Sequence, residues 1–194
     1  MKLTYPIGIL VVLFSTLLSG CANIKLPQGP SMYKLQHYED NYSVGVTQTE
    51  DLRDSNKVGT IGLATFTVKS DITQLTNNHI INHINKSLGF NVKQVAKNDF
   101  RGVRGVINSK IKKIELFSID AILQPVKTRF VLQVEVFNPD GKCIFKDDFI
   151  GLHEETLGLS FSNKKEGRFV EAALINALDK LVEDSFFIYS LKRL

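Results

Sequence analysis

The chain has 194 residues, of which 43% are apolar and 23% charged, and its mean hydropathy is −0.01. Those are the proportions of a globular protein with a real core, and they exclude a chain built of many membrane spans. A formal charge of +4, with the acidic residues spread along the chain, is too mild to imply a nucleic-acid partner.

The chain opens on Lys2 and an apolar run from Ile7 to Leu18, broken only by Gly8, Ser15 and Thr16. The run is too short for a stable membrane span and reads as a secretory signal. Leu18-Ser19-Gly20-Cys21 follows. This segment resembles a bacterial lipoprotein signal, whose four-residue lipobox it matches at every position. The resemblance implies a diacylglycerol on the Cys21 thiol, cleavage before Cys21, and an acyl chain on the amine so exposed. No other cofactor and no metal is expected. Loss of the first 20 of the 194 residues leaves 174, with 23 basic side chains against 20 acidic ones.

Two cysteines in an exported chain suggest a disulfide. If Cys21 carries lipid, Cys143 has no partner, and its alternation with Phe145 and Phe149 predicts a buried small hydrophobe. Ala22 to Ser31, with Pro27, Gly29 and Pro30, reads as a flexible tether, so residues 21–41 divide into lipidated cysteine and linker. In lipoproteins an aspartate after the lipid cysteine commonly retains the protein in the inner membrane. Ala22 stands there, which favours the periplasmic face of the outer membrane.

Residues 42–194 read as a single α+β domain. Short strands are predicted at Tyr42 to Val46 and Ala64 to Val68. A helix then runs from the cap pair Ser70-Asp71 to Leu88, with Ile72, Leu75, Ile80, Ile81 and Ile84 on its apolar face and Gly89 at its end. Strand alternation resumes from Val103. Its phase slips between Ile111 and Ile114, which calls for a β-bulge near Lys112-Lys113. Val126–Val136 and Cys143–Ile150 form a hairpin around the turn Asn138-Pro139-Asp140-Gly141. The last helix spans Glu166 to Ser185, with an apolar stripe from Phe169 to Val182 and small residues at 172, 173 and 177 that allow close approach to a sheet. The predicted fold is an antiparallel sheet of about four to five strands with two helices packed on one face.

The order of these elements resembles the YajG-type family of bacterial lipoproteins. The carrying features are the lipobox, Asp51-Leu52-Arg53 with Val58-Gly59 after it, Leu88-Gly89-Phe90, the long hairpins, and Glu171-Ala172-Ala173 in the last helix, over roughly residues 42 to 187. The resemblance implies an outer-membrane lipoprotein and brings no catalytic residues.

His79 and His83 lie one helical turn apart, yet Ile80 stands where a metalloprotease needs its glutamate, so they read as polar helix-edge residues. Arg53 reads as tying its own loop through Asp51, and Asp147-Asp148 and Glu154-Glu155 as a solvated strand edge rather than a calcium site. No catalytic residues are identified. The expected function is a non-enzymatic, lipid-anchored periplasmic module that contacts the membrane through its anchor and binds an envelope protein. The alternative is an accessory lipoprotein of an envelope lipid-transport system, with a lipid-binding cavity. Apolar residues in two connections, Phe117, Ile119, Ile122 and Leu123, then Leu157, Leu159 and Phe161, either tuck under the sheet as satellite core or, if exposed, are the candidate partner contacts.

Overall fold

Alternating apolar and polar residues in the middle of the chain produce three long strands, and the other elements hang on these. The computed structural model describes residues 21–24, 43–61, 64–68, 71–97, 99–118, 125–156 and 163–194. In chain order they form β1 (Cys21–Ile24), β2 (Ser43–Val46), β3 (Glu50–Asp51), β4 (Lys57–Ile61), β5 (Ala64–Val68) and α1 (Asp71–Leu88). Then follow β6 (Asn91–Gln94), β7 (Val106–Phe117), β8 (Pro125–Phe137), β9 (Cys143–Thr156), α2 (Asn163–Glu183) and α3 (Ser185–Lys192).

β7, β8 and β9 pair antiparallel in sequence order. Beyond Val106, which is also buried, the buried positions of β7 are Ile107, Ser109 and Ile111, then Ile114 and Leu116. The change of parity is absorbed by the register shift between Ile111 and Lys113, the bulge that the sequence requires. Val126, Phe130, Leu132, Val134 and Val136 of β8 face the same core. The turn between β8 and β9 closes with Gly141 at φ 76°, a conformation open to glycine.

The opposite face of these strands carries charge. Glu135 is held by Lys110 and Lys146, Asp148 by Lys112 and Gln133, and Glu115 by Lys113 and Arg129. One buried face and one ionic face is the usual condition of an antiparallel sheet with a single covered side.

The sheet as a whole is mixed rather than antiparallel, and it is wider than the sequence predicts. Nine strands are joined. Along its free edge β7 receives three short strands in turn, all parallel: β2 at Val106 and Ile107, β3 at Lys110 and Ile111, and β4 at Leu116 and Phe117. β6 extends this side parallel to β2, while β5 runs antiparallel to β4 and β1 parallel to β5. Each added strand has two to five residues, too few for alternation to announce either its existence or its direction. β1 also falls in the stretch expected to be tether, where Ala22, Asn23 and Ile24 instead pair with Phe66, Thr67 and Val68.

Three helices are described, not two. Ile72, Leu75, Ile80 and Ile84 of α1 are buried, and Gly89 turns the chain out of the helix at φ 71°. α2 buries Phe169, Val170, Ala173, Leu174, Ala177, Leu178 and Leu181. It comes so close to β9 that a Cβ on Gly151 would stand 1.8 Å from the Ala173 carbonyl oxygen. The Asp184 carboxylate then accepts from the Phe187 amide at 2.7 Å and starts α3, beyond the helix predicted to end at Ser185.

Gly151→Ala tests this contact. The methyl group meets helix backbone that cannot rotate away, so a loss of at least about 1–3 kcal/mol is expected in chemical denaturation. An unchanged unfolding curve would show that α2 stands farther from β9.

Candidate functional site

The polar clusters that the sequence singles out close on themselves. Arg53 donates from Nε and Nη2 to the two Asp51 carboxylate oxygens at 2.9 and 2.7 Å, and its Nη2 reaches the Val68 carbonyl at 3.4 Å. Burial pushes the Asp51 carboxyl up, but the hydrogen bonds and charge of Arg53 outweigh it and hold the group below its ordinary value. The arginine therefore ties the loop to itself and to β5, as read from sequence. Asp147 accepts from the Asp148 amide, Glu154 pairs with Lys127 and Glu155 with His153. These acids form a solvated edge.

The histidines differ from expectation. His79 is only 6% exposed, and its Nε2 lies 3.0 Å from Glu171 Oε1 on α2. His83 Nε2 lies 3.4 Å from Asp179 Oδ1, also on α2. Both carboxylates sit 92 or more positions away along the chain, so no local pattern could disclose them. The pairs join α1 to α2. His83 Nδ1 must donate to the His79 carbonyl at 3.0 Å, since a carbonyl only accepts. Burial lowers the His83 pKa from its ordinary value, and the opposing pull of the carbonyl and Asp179 does not restore it. Among the described residues no group of three His, Cys, Asp or Glu side chains could hold a metal ion.

Cys143 is exposed rather than buried. The register shift beside it, between Val136 and Phe137 of β8, breaks the alternation that placed it inward. Phe149 is buried as expected, and Phe145 packs against the core from its margin.

Cys21 heads β1, and the register gives its place. It pairs with Thr65, which pairs with Thr60, which pairs with Phe117. The anchor candidate thus lies at the Phe117 end of the sheet. Phe117 is 44% exposed. The other candidate contacts, Ile119, Ile122, Leu123, Leu157, Leu159 and Phe161, lie outside the described residues.

Among the described residues, grooves open on the surface, two of them well formed. One, of about 710 Å³, is lined by Thr47, Gln48, Glu50, Gln94 and Lys97, and is spanned by the Lys97–Glu50 ion pair at 2.7 Å. The other, of about 620 Å³, runs between β9 and α3, and Ile144, Lys146, Phe186, Tyr189 and Arg193 are among its lining residues. Phe186 is 75% exposed and Tyr189 58%. The sequence reading missed this groove. Its signal was there: Phe187 and Leu191 take the inner side of a helical turn, which leaves Phe186 and Tyr189 together on the outer side.

No protein-family model matches the sequence, and no curated protein matches it. Solved structures do. The protein XCC0632 from Xanthomonas campestris, described with the family model DUF330, is similar over 90% of this chain and 99% of its own, at 11% identity and a TM-score of 0.54. The protein CT253 from Chlamydia trachomatis is similar over 77% of this chain and 98% of its own, with 7% identity and a TM-score of 0.48. The lipoprotein GNA1162 from Neisseria meningitidis covers 72% of this chain and 99% of its own, at 9% identity and a TM-score of 0.40. The likeness to the Xanthomonas protein is one of fold.

His83 makes stability depend on pH. A depressed His83 pKa means the unfolded chain takes up a proton first, so stability falls as pH drops through about 6.5 toward the lower folded value. Melting temperatures at pH 7 and 5.5 should differ less in His83→Gln than in the parent. An equal difference would remove His83 from this dependence.

Proposed function

We propose that the protein is a lipid-anchored envelope module, without enzymatic activity, that binds a protein partner at the periplasmic face of the outer membrane. The observation that carries this reading is the Leu18-Ser19-Gly20-Cys21 match behind a short apolar run. The polar clusters support the binding role, because each is engaged in holding loops, strands or helices together. The likeness to XCC0632 is one of fold and adds no activity.

The alternative, an accessory subunit that carries lipid, needs an apolar cavity between helices and sheet. Ile72, Ile80, Phe130, Leu132, Leu174 and Leu178 are each no more than 0% exposed in that layer, so the described core is filled by its own side chains. It offers the lipid reading no support.

Cys21→Ser tests the anchor. The substituted protein should keep its signal, carry no lipid mass and leave the outer-membrane fraction, because the lipoprotein peptidase acts on the modified cysteine. Recovery of the variant at the mature lipidated mass would refute the anchor.

A further inference from the structure

We infer that the groove between β9 and α3 binds an extended, acidic peptide segment of a partner, added as a strand to the edge of the sheet. This rests on the binding-module reading and supplies that reading with a site and a ligand chemistry.

The edge itself is the first observation. Among the described residues β9 pairs with β8 alone and is the outer strand on that side. Part of its outward backbone is already satisfied by α2, since Asn176 Oδ1 accepts from the Leu152 amide at 3.0 Å and Lys180 Nζ donates to the Ile150 carbonyl at 2.7 Å. Outward-facing groups recur every second residue of an antiparallel edge. Lys146 and Asp148 therefore face the same way as Ile150 and Leu152. The Asp148 amide is held by the Asp147 carboxylate at 2.7 Å. That leaves the Lys146 amide and carbonyl on the groove side, with the Asp148 carbonyl next along the same edge, the donor and acceptor pattern that an added strand takes.

The second observation is what stands across the groove. Phe186 and Tyr189 line it from α3, with Ile144 on the β9 side. These exposed apolar groups suit alternate side chains of an extended segment. Charge selects among such segments. Lys142, Lys146 and Arg193 line the groove against one acid, Asp147. Lys146 is shared with Glu135 at 2.8 Å, and Arg193 lies over the Tyr189 ring at 5.3 Å. The surplus is positive, so the complementary ligand is acidic.

Position separates this ligand from a lipid surface, which exposed aromatics and basic residues could also take. The groove lies at the Val106 end of the sheet, because Phe137 pairs with both Val106 and Cys143. Cys21 lies at the Phe117 end. β7 between them has 12 residues, so the ends stand on the order of 35 Å apart at about 3.3 Å per residue. A domain anchored at Cys21 holds this groove away from its own membrane.

The test uses the full-length protein in detergent and a synthetic peptide of alternating valine and glutamate, followed by fluorescence anisotropy. The peptide should bind. Lys142→Glu with Arg193→Glu, and separately Phe186→Ser with Tyr189→Ser, should each weaken it about tenfold or more. N-methylation of alternate peptide amides should abolish binding, since only backbone pairing reads that change. The four substituted residues lie on the surface, so a circular dichroism spectrum matching the parent is expected. The Cys21→Ser protein should bind the peptide equally well, which keeps the groove and the anchor independently testable. Four results would overturn the proposal: no peptide binding, equal binding of a valine-lysine peptide, equal binding of the N-methylated peptide, or parental binding by both double variants. Two more would replace the occupant. Capture of the Cys21→Ser protein by phosphatidylglycerol vesicles through Phe186 and Tyr189 would make it a membrane. A dimer in sedimentation that those substitutions dissociate would make it a second copy.

Discussion

The close passage of α2 over Gly151 is the constraint on which the rest of the structure depends. A helix can lie this near a strand only where side chains are reduced to almost nothing. Here Ala173 and Ala177 meet a glycine. Proximity then lets Asn176 and Lys180 reach the backbone of β9, and it sets the height at which α1 must lie beside α2. The histidine-carboxylate pairs between the helices follow from that height. They are less exposed on the histidine side than on the carboxylate side, and they tie the two helices together in one register.

The long meander has two chemically unlike ends. At one, β1 brings Cys21 level with Phe117. At the other, the turn after β8 and α3 line one groove, and Leu194, beyond the end of α3, packs on Gly105. The two ends therefore differ in what they present, one the start of β1 and one the groove beside β9. The ionic ladder on the sheet face between them is locally paired and keeps that face in water.

Much of the scaffold was legible from residues alone, because its signals are local. Asn138-Pro139-Asp140-Gly141 specifies its turn, the phase slip from Ile111 to Ile114 specifies its bulge, and the α2 stripe specifies its buried side. The mixed character of the sheet was not legible. A two-residue strand such as Glu50–Asp51 has no periodicity, and its parallel partner Lys110–Ile111 lies far along the chain. Cys143 was misplaced for a related reason: alternation was carried across a second bulge that no residue announces. The helix break at Asp184 could have been read, since an aspartate before Ser185-Phe186-Phe187 is a capping signal inside an apolar pattern. The groove beside β9 requires that break.

β4 joins β7 through only two residue pairs, Gly59 with Leu116 and Thr60 with Phe117. At the first of these the strands approach so closely that a Cβ on Gly59 would stand 1.9 Å from the Leu116 carbonyl oxygen. β5 and β1 hang in turn on β4. The β4–β5–β1 ribbon is therefore a candidate for opening as a unit while the meander stays folded, held back chiefly by Val58, Phe66 and Val68 in the core and by Arg53 across to Val68. In hydrogen exchange such a ribbon gives up its amides ahead of β7 and β8. The strand that begins at Cys21 would then be the first part of the sheet to be released, lengthening the connection between an anchor and an intact domain.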